Sequence, residues 1–264
     1  RHTTIGLLAD VQDMPNHYDY SLQFYDRYYR PNNCIIVVVG DFVQADLKSL
    51  AEKYYGTWEP GDFEPQIPVE PPQTRERTAR VAWPNPTLPF LMMAYHVPAF
   101  SDRQIDMPAL DVLSQLLFSQ TSPLFQKLYL EEQVVDNLSG GALDSRDAPL
   151  FTIIARVTDP ARIDYVRDSI ISEIERMKTE PVDETVLADT KSHMRFGFAL
   201  GLDNPGSIAR TLSHYLQLTE DPGTVNRVYE LYDAVSAEDI LKMANIYFPD
   251  TNRTVVVLTQ EAES

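Results

Sequence analysis

The strongest constraint on how this chain can fold is a phrase that it uses twice. "YYRPNNCIIVVVGDF" (28–42) and "IYFPDTNRTVVVLTQ" (246–260) each run from a helix end through a Tyr-x-Pro into a Val-Val-Val run that starts six residues after the proline. The pairs are Tyr29 with Tyr247, Pro31 with Pro249, and Val37 with Val255, and the offset is constant: 247 − 29 = 218 and 255 − 37 = 218. Upstream at the same offset, Leu22, Tyr25 and Tyr28 match Ile240, Met243 and Ile246, an i, i+3, i+6 stripe along one helix face in both copies. A shared helix, proline and strand at one offset reads as duplication, so the chain is expected to contain two related units. Only 28 residues precede Tyr29, which implies that the first unit is represented by its end alone and that the chain is a piece of something longer.

The pattern between the two phrases supports that division. A proline disfavours helical geometry in the residue before it, so an aromatic helix over 17–29 is expected to stop ahead of Pro31. A strand over 33–39, buried on both faces with Cys34 as a small buried hydrophobe, should follow. Next comes a helix over 43–55 with Leu47, Leu50, Ala51 and Tyr54 inward and Gly56 as its stop. Five of the 19 prolines then lie between Pro60 and Pro72, a composition that extends the backbone and resists packing. Residues 1–58 therefore read as the tail of a first domain, 59–78 as a linker and 79–264 as a second domain.

Within the second domain the patterning predicts strands over 79–83 and 88–97, helices over 107–118 and 123–131, and a strand pair over 134–142 and 150–157 joined by the turn-forming "LDSRDAP". Asp159 caps and Pro160 starts a helix whose Ile163, Val166, Ile170, Ile174 and Met177 share one face. Three or four further helices, interrupted at "GLDNPGS", lead to the closing Val255 strand. Strands and helices do not alternate as a doubly wound fold requires. The fold class is α+β, a largely antiparallel sheet with helices packed on one side.

Charge and chemistry narrow the function. A net charge of −17 repels phosphate backbones and anionic lipid, which argues against nucleic acid and membrane surfaces and suits cationic peptides. No apolar run approaches the ~20 residues that span a bilayer, so membrane insertion is not expected. Cys34 is the single cysteine, which excludes an internal disulfide and Cys-x-x-Cys zinc. None of the five histidines forms an H-E-x-x-H or H-x-x-E-H helix, and His193 and His214, on helices among apolar residues, read as structural. There is no G-x-S-x-G elbow, and "VVVGDFVQAD" lacks the further glycines of a phosphate loop. No catalytic constellation and no metal site is expected among these residues.

An ordered set of segments carries more than any one motif. "RHTTIG", "FYDRYYRPNNCIIVVVGDF", "SPLFQKLYLEEQVVDNLSGG", "LGLDNPGSIARTL" and "LYDAVSAEDILKMANIYFPDTNRTVVVL" together resemble the pitrilysin (insulinase) family of zinc metallopeptidases, in the branch similar to mitochondrial processing peptidase. The resemblance covers nearly the whole chain and implies two homologous α+β domains joined by a linker, which would account for the duplicated phrase. It also implies zinc in a longer parent, held by an H-x-x-E-H helix and a further glutamate upstream of Arg1, and none in this chain. The parent would be a metalloendopeptidase of unfolded peptides, with the second domain as chamber wall and dimer surface. Alternatively, it would be a catalytically silent homologue that binds peptides or scaffolds a complex. Partners would be a peptide substrate and a second subunit, identical or related; many bacterial relatives are exported, which favours the periplasm over the cytoplasm. In paired-subunit members one chain contacts substrate through an Arg and a Tyr seven residues apart. Alignment of "SPLFQKLYLEEQVVDNLSG" places Tyr129 at the Arg and Asp136 at the Tyr, so these two positions are the candidate substrate-binding residues, both departing from the family pattern. That departure points to the zinc-bearing subunit as parent.

Overall fold

The computed structural model describes residues 6–261. Three helices open it: α1 (Leu8–Asp13), α2 (Tyr18–Tyr28) and α3 (Gln44–Tyr55). Residues 57–76 then contain no helix or strand. This stretch is fastened at both ends. Asn32 Nδ2 donates to the Gly61 carbonyl at 2.8 Å while the Gly61 N–H donates back to Asn32 Oδ1 at 2.9 Å, and Gln73 Nε2 donates to the Arg253 carbonyl at 2.8 Å.

From there the chain builds one five-stranded sheet. β1 (Arg77–Trp83) leads to β2 (Phe90–His96), and α4 (Asp106–Phe118) follows. A single helical turn, α5 (Pro123–Phe125), continues as a π-helical turn over Gln126–Glu131. β3 (Val135–Gly141) and β4 (Leu150–Val157) precede the helices α6 (Ile163–Thr179), α7 (Glu184–Leu200), α8 (Pro205–Thr219), α9 (Thr224–Ala234) and α10 (Ala237–Tyr247). β5 (Arg253–Gln260) closes the fold. The strand order is β1-β5-β2-β4-β3, antiparallel except where β5 runs parallel to β1. No described helix is long and apolar enough to cross a membrane.

Period-two alternation decides which face of the sheet the helices cover. Leu91, Met93 and Tyr95 of β2, Phe151, Ile153, Ala155 and Val157 of β4, and Val255 and Val257 of β5 are buried. Against them pack α4, buried along most of its length, and the apolar stripe of α6, where Ile163, Val166, Ile170, Ile174 and Met177 are all buried at the helical spacing the sequence sets. Each fully buried Leu or Ile contributes roughly 2 kcal/mol by its removal from water. Phe248, just past α10, seals the layers: Phe151 meets it edge-on at 5.0 Å and Tyr95 at 4.7 Å.

The two copies of the repeated phrase share their shape with the letters displaced by one. α2 ends at Tyr28 and a 3-10 turn covers Pro31–Asn33, whose Asn33 Nδ2 donates to the Tyr28 carbonyl at 2.9 Å. α10 ends at Tyr247 and the turn is Asp250–Asn252, whose Asn252 Nδ2 donates to the Tyr247 carbonyl at 2.7 Å. These features match at 247 − 28 = 219 and 252 − 33 = 219, one more than the Tyr-x-Pro offset. Since a one-residue shift exchanges the faces of a strand, Ile36 and Val38 are the counterparts of the buried Val255 and Val257.

Ile36 and Val38 are nevertheless exposed, and the expected buried strand over 33–39 is not formed. Among the described residues no strand pairs with this segment, Ile35, Ile36 and Val38 lie open, and Cys34 is exposed rather than buried. The reason is the lack of paired neighbours: β5 is covered because β1 and β2 flank it, and no described strand flanks 34–39. For the same reason α3 has no sheet to pack on and faces only Ile36 and Val38 of the unpaired segment, so Leu47 and Ala51 are only half-buried and Leu50 and Tyr54 are exposed. His193 is exposed too, because its neighbours Phe196 and Leu200 on α7 face solvent.

Candidate functional site

The segment between α4 and β3 positions both candidate substrate-binding residues. Ser122 starts it: its Oγ accepts from the Phe125 N–H at 3.2 Å and donates to the Leu117 carbonyl at 2.8 Å, so the turn is tied to the end of α4. The helix expected over 123–131 widens instead into the π-helical turn, closed by the Glu132 N–H donating to the Lys127 carbonyl at 2.9 Å. Gln133 then takes a left-handed conformation, φ 52°, and the Val134 N–H returns to the Leu128 carbonyl at 3.0 Å, aiming the chain into β3. A left-handed backbone strains any residue with a Cβ by about 1 kcal/mol. Gln133→Gly is therefore expected to stabilise the chain by about 1 kcal/mol, read as a shift of the urea midpoint at unchanged slope.

Tyr129 lies on the π-helical turn, about a third exposed, with its ring stacked on Phe125 at 4.6 Å. Asp136 lies where the β3–β4 register slips between Val135 and Asn137, a bulge that re-aims the side chain, and its Oδ1 accepts from Arg156 Nε at 2.6 Å. The two candidates thus engage different partners. Sequence reasoning missed the side chains around them. Glu132 accepts from the Tyr165 hydroxyl at 2.8 Å and lies 3.6 Å from Arg162 Nη2, whose guanidinium sits 4.1 Å over the Tyr165 ring. Beside them Pro123, Leu124, Lys127, Tyr165 and Asp168 help line an open pocket of about 360 Å³. Only the basic residues breaking the apolar alternation, Arg156 after Ile154 above all, could have signalled this in the sequence.

A second set of ionisable groups ties the helices together. The Tyr232 hydroxyl of α9 donates to Asp111 of α4, and burial pushes the Asp111 carboxyl up to about 7, with Asp144 nearby adding to the rise. Burial raises Asp144 as well, while His214 Nε2 at 3.4 Å opposes that rise. Asp102 accepts from Thr224 at 2.9 Å and from Arg227; burial works against its ionised form, and these two donors outweigh it and hold the carboxyl below its ordinary range.

The donor set does not fit zinc. Among the described residues no three His, Cys, Asp or Glu side chains converge on a point that could hold a metal ion. His17 pairs with Asp13, His214 with Asp144, and His193 stands exposed on α7.

Comparison with known proteins places this architecture. Zinc protease PqqE of Helicobacter pylori is 27% identical over 265 residues, covering 97% of this chain and 57% of the relative. A solved protease structure from the same organism superposes with a TM-score of 0.85 at 26% identity, covering 97% of this chain and 62% of that one. A putative M16-like peptidase from Alicyclobacillus acidocaldarius, at 19% identity and TM-score 0.80, shares the fold. The chain therefore spans less than two thirds of the length of the relatives it matches. Residues 18–194 match the family model described as the Peptidase M16 inactive domain. With that match across more than half its length, the chain belongs to the M16 zinc-protease family, as a form of its inactive domain.

Proposed function

We propose that this chain is the C-terminal part of a zinc-dependent endopeptidase of unfolded peptides, in which residues 79–264 form a wall of the substrate chamber and a surface for a second subunit. Residues 1–58 are the tail of a preceding zinc-bearing domain, and 59–78 the linker. Tyr129 and Asp136 face the substrate side of that wall.

The observation that carries this reading is the bare segment 34–39. Its counterpart β5 lies between two strands, whereas Ile35, Ile36 and Val38 stand exposed with no pairing partner among the described residues. A valine-rich strand of this kind is stable only with a sheet on either side and a layer over it. The relatives are longer than this chain, which covers 57% of one and 62% of another.

Elemental analysis of the protein carried upstream to its natural start tests the proposal. About one zinc per chain is expected, with cleavage of an unfolded peptide that a chelator abolishes. A chain that refuses added zinc would sink the peptidase reading and leave the silent, peptide-binding homologue.

A further inference from the structure

We propose that Arg156, held by Asp136 on the open face of the sheet, receives the C-terminal carboxylate of an extended peptide whose apolar end lies across the strands. The proposal deepens the chamber-wall reading and rests on it.

The alternation that buries Leu91, Met93, Phe151, Ile153 and Ala155 under the helices turns Phe90, Met92, Ile154 and Arg156 to the opposite side, which no described helix covers. Register arranges them in rows. Arg156 of β4 stands beside Phe90 of β2, Phe90 beside Leu258 of β5, and Leu258 beside Val81 of β1. In the next row Ile154, Met92 and Val256 are neighbours. The result is an apolar strip with Met92 and Val81 each about two-fifths exposed, running to a guanidinium. Three interstrand steps of about 4.8 Å make the strip roughly 14 Å long, the span of about four extended residues.

The end of the strip has the chemistry of a carboxylate receptor. Asp136 engages Arg156 through Nε alone, at 2.6 Å, and the guanidinium lies 6.0 Å from the Phe90 ring centre. Neither terminal nitrogen of Arg156 makes a hydrogen bond within the described residues, so the planar fork keeps outer N–H groups to offer a bidentate acceptor. Asp136 fixes the plane of that fork and, lying beyond it, repels any negative charge that would pass further, which favours a chain end over an internal acidic residue. The surrounding field agrees. In a chain with 39 acidic residues, the outward strand positions of this face, Asp136 apart, carry the arginines Arg77 and Arg156 and no carboxylate.

The test is fluorescence anisotropy of the whole chain with a labelled ten-residue peptide ending in Ala-Leu-Val-Leu. It is offered as the free acid, as the C-terminal amide, and as an amide with one internal Glu. The free acid is expected to bind about tenfold more tightly than either amide, as a charge-assisted bidentate pair requires. Arg156→Gln should erase the preference, Arg156→Lys should keep only part of it, and Asp136→Asn should weaken it by freeing the guanidinium plane. Equal binding of all three peptides overturns the proposal, as does tighter binding of the Glu peptide or a folded Arg156→Gln chain with its preference intact. Each of these leaves the chamber-wall reading standing. Failure of the unaltered chain to bind any peptide counts against that reading itself.

Discussion

Gly140→Ala is expected to destabilise this chain by about 3 kcal/mol and to lower its melting temperature by roughly 10 °C, measured by urea and thermal unfolding. A Cβ built on Gly140 would lie 2.4 Å, 2.5 Å and 3.0 Å from three carbons of the Phe118 ring. That ring cannot swing away cheaply, because Phe118 is buried at the end of α4 and packs near Phe151 at 6.3 Å. Nor can β3 retreat easily, since Ser114 Oγ donates to the Gly140 carbonyl at 2.6 Å and holds strand and helix together. Glycine here serves a close approach of strand to helix, the use that most often justifies its loss of packing in a strand. Gly141→Ala is the control: its Cβ would meet only Ser114 Oγ, at an ordinary 3.4 Å, and a change within about 0.5 kcal/mol is expected. Equal behaviour of the two variants would show that Phe118 has room to turn.

Asp111→Asn is expected to stabilise the chain by on the order of 2 kcal/mol at pH 8 and to leave it unchanged near pH 4. Burial between α4 and α9 raises the folded-state pKa of Asp111 to about 7, against 3.8 for the ordinary carboxyl. Between those values the folded chain keeps a proton that the unfolded chain has released. Stability therefore falls as pH rises from about 4 to about 7 and is level above that. Asparagine carries no charge to desolvate and still offers an oxygen to the Tyr232 hydroxyl, so the variant should escape the decline. The difference between the two unfolding curves, taken at half-unit steps of pH, should open across that window. A constant difference from pH 4 to pH 8 would mean that Asp111 is solvated enough to ionise normally.

What the sequence made legible was local. The stripe from Ile163 to Met177 needs only 3.6-residue periodicity and is buried as expected, and Asp159 caps by accepting from the Ala161 N–H at 2.9 Å, as its side chain dictates. The α+β class followed from the order of such elements, each readable within about fifteen residues. What was hidden depends on partners far away in the chain. The parallel pairing of β1 with β5 joins Arg77 to Thr254, 254 − 77 = 177 residues apart, and no periodicity encodes it. The π-helical turn before β3 is an ordinary helical sequence opened by the geometry of the chain's return at Gln133. No strand forms over 33–39, because a Val-rich run states only that it can be buried, and burial needs neighbours. Tyr129 and Asp136 are candidates by the family resemblance alone, and the partnership of Asp136 with Arg156 arises from a bulge, where two residues of one strand oppose one of the next and simple alternation fails.

The position of β5 also sets a timetable for biosynthesis. It is the last of the described elements to leave the ribosome, yet it belongs between β1 and β2, so the earlier strands must wait for it with their inner edges unpaired. From the synthesis of β2 until that of β5 the nascent chain therefore exposes the edge of β2 and a detached β1. It is most vulnerable to misassociation in that interval, and the sheet becomes continuous only when its final strand slides in.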